Sequence, residues 1–277
     1  MKYIAIILIC VASLNPLKGY SNVDLAVHKV YSEQGLWHDL ITPNIEESKE
    51  FYNKIFGWTF KEKNIKGFKY ALIYNHKMLI GGMLEIPNTE SSTWITSLAL
   101  SSQELNKRIK LAVANGAKLA LNPIKVPGIG KQVIFEGPQG IIFSLVSVNA
   151  YNSAIVNEKK AYNDWLGIEL WSDDLEKSKA FYESTFNISS EAVTIDNKPY
   201  WYFKDGEKIL AGMTKNPVTN QKGQWIPYVN VELPSAIITA TKRARGSVIL
   251  SPDKRIRGGT LGIIQDPYGA IIAIQKN

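Results

Sequence analysis

Hydrophobic and polar residues alternate over 36–41 (LWHDLI) with the period of a half-buried strand. Over 44–56 the period becomes helical and sets Ile45, Phe51, Tyr52, Ile55 and Phe56 on one side. Asn44 supplies an N-cap and Gly57 a helix stop. Strands follow at 58–62, 68–74 and 78–86, separated by Gly67 and by the tip Asn75-His76-Lys77. The order then restarts with a strand at 94–100, a helix over 102–115 ended by Gly116, and strands at 118–126, 131–136 and 141–148. The pattern predicts two βαβββ units within residues 36–150.

The same pattern recurs about 130 residues later. Residues 44–56 (NIEESKEFYNKIF) and 174–186 (DLEKSKAFYESTF) are identical at six of 13 positions: Glu46/Glu176, Ser48/Ser178, Lys49/Lys179, Phe51/Phe181, Tyr52/Tyr182 and Phe56/Phe186. Tyr70 answers Tyr200, Gly82-Met83 answers Gly212-Met213, and Trp94-Ile95 answers Trp225-Ile226 one residue later. Near the end of each copy, Gly137-Pro138-Gln139-Gly140 matches Asp266-Pro267-Tyr268-Gly269. The repeated unit is therefore a whole domain, and the chain divides into domains at 36–150 and 165–277 with linkers at 22–35 and 151–164. Half-domains could pair within a copy or across copies, since both arrangements use the same strands.

A length of 277 residues accommodates two domains of ordinary size, each with its own core. Hydrophobic residues at 45% and charged residues at 21% exclude disordered, collagenous and multi-span classes. Behind Met1-Lys2, residues 3–14 form an apolar run, followed by Asn15-Pro16 and Gly19-Tyr20-Ser21. A run of about 12 residues is short for a bilayer and has the layout of a secretory signal, so 1–21 is predicted to direct export and to be cleaved after Ser21. Cys10, the one cysteine, follows Ile9 rather than a small residue, which argues against lipidation. The exported chain would then have no disulfide, thiolate nucleophile or Cys-based metal site.

The formal charge of +7 falls to +5 without Lys2 and Lys18. With basic residues dispersed among acids, no nucleic-acid partner is predicted, and no stable membrane insertion once the signal is removed. One basic cluster stands out: Lys242, Arg243, Arg245, Lys254, Arg255 and Arg257. It reads as a solvated helix end and loop, or as an anion-binding rim.

A strand, the helix motif N/D-x-E-x-S-K-x-F-Y-x-x-x-F, and a D/G-P-x-G turn before the last strand together resemble the vicinal oxygen chelate superfamily. That superfamily includes glyoxalase I, extradiol dioxygenases and bleomycin-resistance proteins. The resemblance covers about 36–148 and 165–275. The Trp37 strand and the Phe56-Gly57-Trp58 ending are most similar to tandem glyoxalase-like or hydroxylase-like members. It implies an α+β fold of two tandem domains, each built of two βαβββ modules that curl a mixed sheet into a cup with helices outside.

Catalytic members of that superfamily hold a divalent metal in the cup. The first ligand, usually His, lies 14 residues before the Phe of the FY pair, which here is Trp37 and Gly167. Another, usually Glu, lies four residues after the Gly of the turn, here Ser144 and Ala273. The third comes from the strand opening the second half-domain, here Trp94-Ile95-Thr96-Ser97 and Trp225-Ile226-Pro227-Tyr228. A divalent ion needs several N or O donors converging at about 2.0–2.2 Å, and these side chains do not supply them. No metal or other cofactor is therefore predicted.

Strand alternation turns His38 away from the cup if Trp37 faces into it, while Asp39 shares the face of Trp37, and Glu169 that of Gly167 and Trp171. His28 falls in the first linker and His76 at a hairpin tip. Asp39 and Glu169 are the candidate polar anchors, either as a base or amine-holding group in a half-apolar cup or as carboxylates bonded to neighbouring groups. The second cavity is predicted to be lined by Trp171, Tyr200, Tyr202, Trp225 and Tyr228, and the first by Trp37, Tyr70 and Trp94, with Ser144 as a further candidate. Such aromatics suit a flat organic ligand, or they pack the cup shut.

Three functions follow. The first is an exported, metal-independent protein that binds a small organic molecule, aromatic or not, in one or both cups. The second is a metal-dependent lyase, isomerase or dioxygenase with non-standard ligands, and the third a structural or partner-binding module with filled cups.

Overall fold

The computed structural model describes residues 36–65, 67–126, 130–148, 161–218 and 221–277. The expected signal at 1–21 with Cys10, the linker at 22–35 with His28, and residues 151–160 of the second linker lie outside them. The first copy runs β1 (Leu36–Thr42), α1 (Ile45–Phe56), β2 (Thr59–Ile65), β3 (Phe68–Asn75), β4 (Met78–Glu85), β5 (Thr93–Leu100), α2 (Ser102–Ala114), β6 (Lys118–Val126), β7 (Gly130–Glu136) and β8 (Ile142–Val148). The second runs β9 (Trp165–Ser172), α3 (Leu175–Phe186), β10 (Ser189–Ile195), β11 (Lys198–Asp205), β12 (Lys208–Lys215), β13 (Gln224–Asn230), α4 (Pro234–Arg243), β14 (Ser247–Leu250), β15 (Leu261–Gln265) and β16 (Ile271–Gln275).

Each copy is two βαβββ units that join into one eight-stranded mixed sheet. The order is β2-β3-β4-β1-β5-β8-β7-β6 in the first and β10-β11-β12-β9-β13-β16-β15-β14 in the second. At the centre β1 runs parallel to β4 and antiparallel to β5, and β5 runs parallel to β8. Strand pairing of half-domains is therefore within a copy.

Helix pairing is across copies. Tyr52, Phe56 and Trp58 share a core with Trp165, Ile238, Ile272 and Ile274, so α1 and α4 lie together between the two sheets. Leu105, Phe135 and Phe143 likewise pack with Phe181, Tyr182 and Met213, bringing α2 against α3. The helix-bearing faces of the sheets thus face each other, and the cup faces point away.

The repeated sequence positions mark contacts that hold this arrangement. Asn44 Oδ1 accepts from the N–H groups of Glu46 and Glu47 at 3.1 and 3.2 Å, and Gly57 ends α1 at φ +69°. The hydroxyls of Thr42 and Ser48 meet at 2.7 Å, and those of Ser172 and Ser178 at 2.8 Å. In both copies the Tyr of the FY pair accepts an indole N–H: Trp94 to Tyr52 at 3.0 Å and Trp225 to Tyr182 at 2.9 Å.

The P-x-G turn of each copy docks on the FY helix of the other. Gln139 Oε1 accepts from the N–H of Asp174 at 2.7 Å, and its Nε2 donates to Ser178 Oγ at 2.9 Å. In the reverse direction the carbonyl of Tyr268 accepts from Ser92 N at 2.9 Å, and Tyr52 Oη donates to Asp266 Oδ2 at 3.3 Å. Trp165 Nε1 also crosses between copies, donating to the Ile80 carbonyl at 2.7 Å.

Candidate functional site

Alternation along β1 puts Trp37 and Asp39 on the cup face of the first sheet. Asp39 is buried and saturated by donors from three other strand positions. Its Oδ2 accepts from Trp37 Nε1 and from Gln132 Nε2, each at 2.8 Å, and its Oδ1 accepts from Tyr70 Oη at 2.8 Å. Gln132 Nε2 also reaches Ser97 Oγ at 3.0 Å. Burial raises the Asp39 pKa above the usual carboxylate range, against the opposing pull of the three hydrogen bonds. Trp37 is 0% exposed and packs with Leu72, Leu79 and Val146, so the first cup is filled by its own side chains.

The second cup repeats the carboxylate with different surroundings. Glu169 Oε1 accepts from Trp171 Nε1 at 2.8 Å, and Oε2 accepts from Tyr200 Oη at 2.7 Å and Arg257 Nη2 at 3.2 Å. The Arg257 guanidinium also lies 5.1 Å from the centre of the Tyr200 ring. Burial and the neighbouring Glu169 charge push the Tyr200 and Tyr228 hydroxyls well above their ordinary pKa. Leu261 and Ile263 pack in one buried cluster with Trp171, Tyr228 and Ala273. Tyr202 is half-buried beside Tyr200, with ring centres 5.3 Å apart.

Two expected cup residues lie elsewhere. Trp94 pairs with Leu40 and Trp225 with Leu170, on the opposite face from the carboxylates. Each is part of the helix-facing core and donates to the FY tyrosine. The extra residue before Trp225 in the second copy does not alter this, because each Trp is set by its strand partner on β1 or β9. His38 is also on the helix face, fully buried, with Nδ1 3.2 Å from Thr96 Oγ1 and its ring 4.3 Å from that of Trp165. His76 is exposed at the β3–β4 tip.

Gln132 and Arg257 complete the carboxylate networks and were not singled out for that role by the strand pattern. Gln132 has no signal beyond its place on a strand, and Arg257 stood only within the basic cluster. That cluster is divided: Arg245 faces Glu47 at 3.7 Å, Arg255 pairs with Asp253 at 2.6 Å, and Arg257 turns into the cup.

The positions that carry metal in the resembled superfamily come together in register. Ser97 pairs with both Trp37 and Ser144, and Tyr228 with both Gly167 and Ala273. The first set offers two hydroxyls and an indole N–H already given to Asp39, and the second a single phenol. Neither donor set fits a divalent ion. Ser144 Oγ is buried with no hydrogen-bond partner among the described residues. Among those residues no three His, Cys, Asp or Glu side chains gather into a cluster.

No family model matches the sequence. The chain is 22% identical over 249 residues to "Putative glyoxylase CFP32" of Mycobacterium tuberculosis, covering 87% of this chain and 93% of the relative. It is 24% identical over 257 residues to "Anthracycline biosynthesis protein DauV" of a Streptomyces species, covering 84% and 90%. Its fold matches the crystal structure of the 2,3-dioxygenase LapB from Pseudomonas with a TM-score of 0.59 at 14% identity, over 87% of this chain and 90% of that one. With two mixed sheets, paired βαβββ units and these likenesses, the chain has the tandem-cup fold of the vicinal oxygen chelate superfamily, of the glyoxalase and dioxygenase type.

Proposed function

We propose that the protein is an exported, metal-independent binder of a small flat organic molecule, that its second cup takes the ligand, and that its first cup is structural. The observation that carries this reading is the difference between the two carboxylates. Asp39 is enclosed by side chains fixed on strands, whereas Glu169 is covered by a loop arginine that is 21% exposed. Tyr200 and Tyr202 place aromatic surface beside that arginine, which suits a planar ring. One relative is named for anthracycline biosynthesis, which supports a small organic ligand. The donor sets at the metal positions support metal independence, and the apolar run at 3–14 supports export.

The test is native mass spectrometry of the secreted protein after exposure to cell extract, with N-terminal sequencing of the same material. A retained small molecule that is lost in Tyr202→Ala and kept in Asp39→Asn, on a chain beginning at Asn22, is the expected result. About one tightly bound divalent ion per cup after chelation and reconstitution would refute metal independence.

A further inference from the structure

We propose that Arg257 and Glu169 form a displaceable latch over the second cup, opened by a ligand that carries an anionic oxygen, a carboxylate or phenolate, on a planar ring. This rests on the reading of the second cup as the ligand site. Arg257 is the outermost polar group of the network: its side chain is 21% exposed, against 7% for Glu169 beneath it. A guanidinium has five N–H donors, so the contacts with Glu169 and Tyr200 leave it capacity for a further anionic oxygen. Glu169 keeps Trp171 and Tyr200 as donors when Arg257 moves, so opening does not strand a bare buried carboxylate.

The turn holds the backbone of this residue and leaves its side chain at the rim of the cup. Arg257 has φ +47°, a left-handed conformation that a residue with a Cβ rarely adopts, and Gly258 and Gly259 follow at +63° and +85°. A Cβ on Gly258 would meet nothing within 4 Å, so the turn has open space beside it. The backbone of the residue is anchored at both ends, by Arg257 N to Asp196 Oδ2 at 2.8 Å and by Thr260 Oγ1 to the Arg257 carbonyl at 2.7 Å, which fixes its position while leaving its side chain to choose partners. Exposed Lys254 and Arg255 lie on the same loop, where Asp253 offsets Arg255 and the Asp196 carboxylate stands at the Arg257 N–H, so Arg257 itself is the cation offered to a ligand. Among the described residues the first cup has no counterpart to this arrangement: Gln132 on a strand carries no charge to offer an anion.

The probe is 1-naphthoate, with 1-naphthamide as its uncharged match, titrated by calorimetry into the full-length secreted protein. Naphthoate is expected to bind the wild type, to weaken at least tenfold in Arg257→Leu, and to tighten at least threefold in Glu169→Gln, where the competing charge is gone. Naphthamide is expected to bind the wild type and Arg257→Leu alike. If naphthoate binds Arg257→Leu and Glu169→Gln as it binds the wild type, the latch is wrong and the cup reading stands. If neither compound binds, or if Tyr202→Ala leaves both affinities unchanged, the cup reading falls and the latch with it. The Glu169→Gln result keeps the proposal falsifiable should Arg257→Leu fold poorly.

Discussion

The hydroxyl of Tyr70 occupies the space beside Gly82 in which a side chain would stand: a Cβ there would lie 1.8 Å from Tyr70 Oη and 2.3 Å from Asp39 Oδ1. Tyr200 stands over Gly212 in the same way, at 1.7 Å. The shared glycines of the repeat thus make room for the tyrosine that reaches the buried carboxylate. Gly82→Ala and Gly212→Ala are each expected to lower stability by about 2 kcal/mol or more, the cost of overpacking a filled site. Chemical denaturation of the single variants checks this, and an unchanged midpoint for either would contradict it.

Asp39 yields a pH dependence of known sign. Its pKa is raised in the folded state by burial, so the ionised form disfavours folding: the contribution of Asp39 is most favourable at low pH and is lost as pH rises through the folded value. Asp39→Asn keeps an acceptor for Trp37 and Gln132 and removes the charge. Its stability relative to wild type is expected to improve as pH rises from the ordinary carboxylate range through the folded value of Asp39. Unfolding curves of both proteins at each pH check this, and a stability difference that stays constant with pH would contradict it. Asp266 is also raised by burial and contributes equally to both curves, so the difference isolates Asp39.

Gln139 joins the first copy to the second through Asp174 and Ser178. Gln139→Ala is expected to destabilise by about 1–3 kcal/mol because it leaves the Asp174 N–H and part of the serine pair without this partner. Combined with Ser178→Ala it should show a coupling of about 0.5 kcal/mol or more in a double-mutant cycle. Strict additivity would mean that the turn and the helix do not act together.

Trp165→Phe removes the N–H that reaches the Ile80 carbonyl between copies while keeping an aromatic ring against Trp58 and Trp94. A loss of about 1–3 kcal/mol is expected, and thermal unfolding should remain a single transition, because the helices of both copies share cores. Two separated transitions would show that the copies unfold independently.

Element types and order were legible in the chain because strand and helix periods, caps and turn glycines are local signals. The alternation of β1 likewise fixed Asp39 beside Trp37 and turned His38 away. The faces of Trp94 and Trp225 were misread, since the start of β5 or β13 has no local mark of which residue pairs with β1 or β9. Gln132 and Arg257 were equally hidden as partners of the carboxylates, because they lie 93 and 88 residues away in sequence.

The sequence by itself determined a duplicated βαβββ scaffold and the absence of imidazole and carboxylate side chains at the metal positions of the superfamily it resembles, since both follow from residue identity and spacing. Tertiary structure alone decided that strands pair within a copy while helices and turns pair across copies, and that one buried carboxylate meets an amide and the other an arginine. Those outcomes depend on which distant segments share a face once the sheets curl and pack, and hydrophobic periodicity along one segment is blind to what covers it.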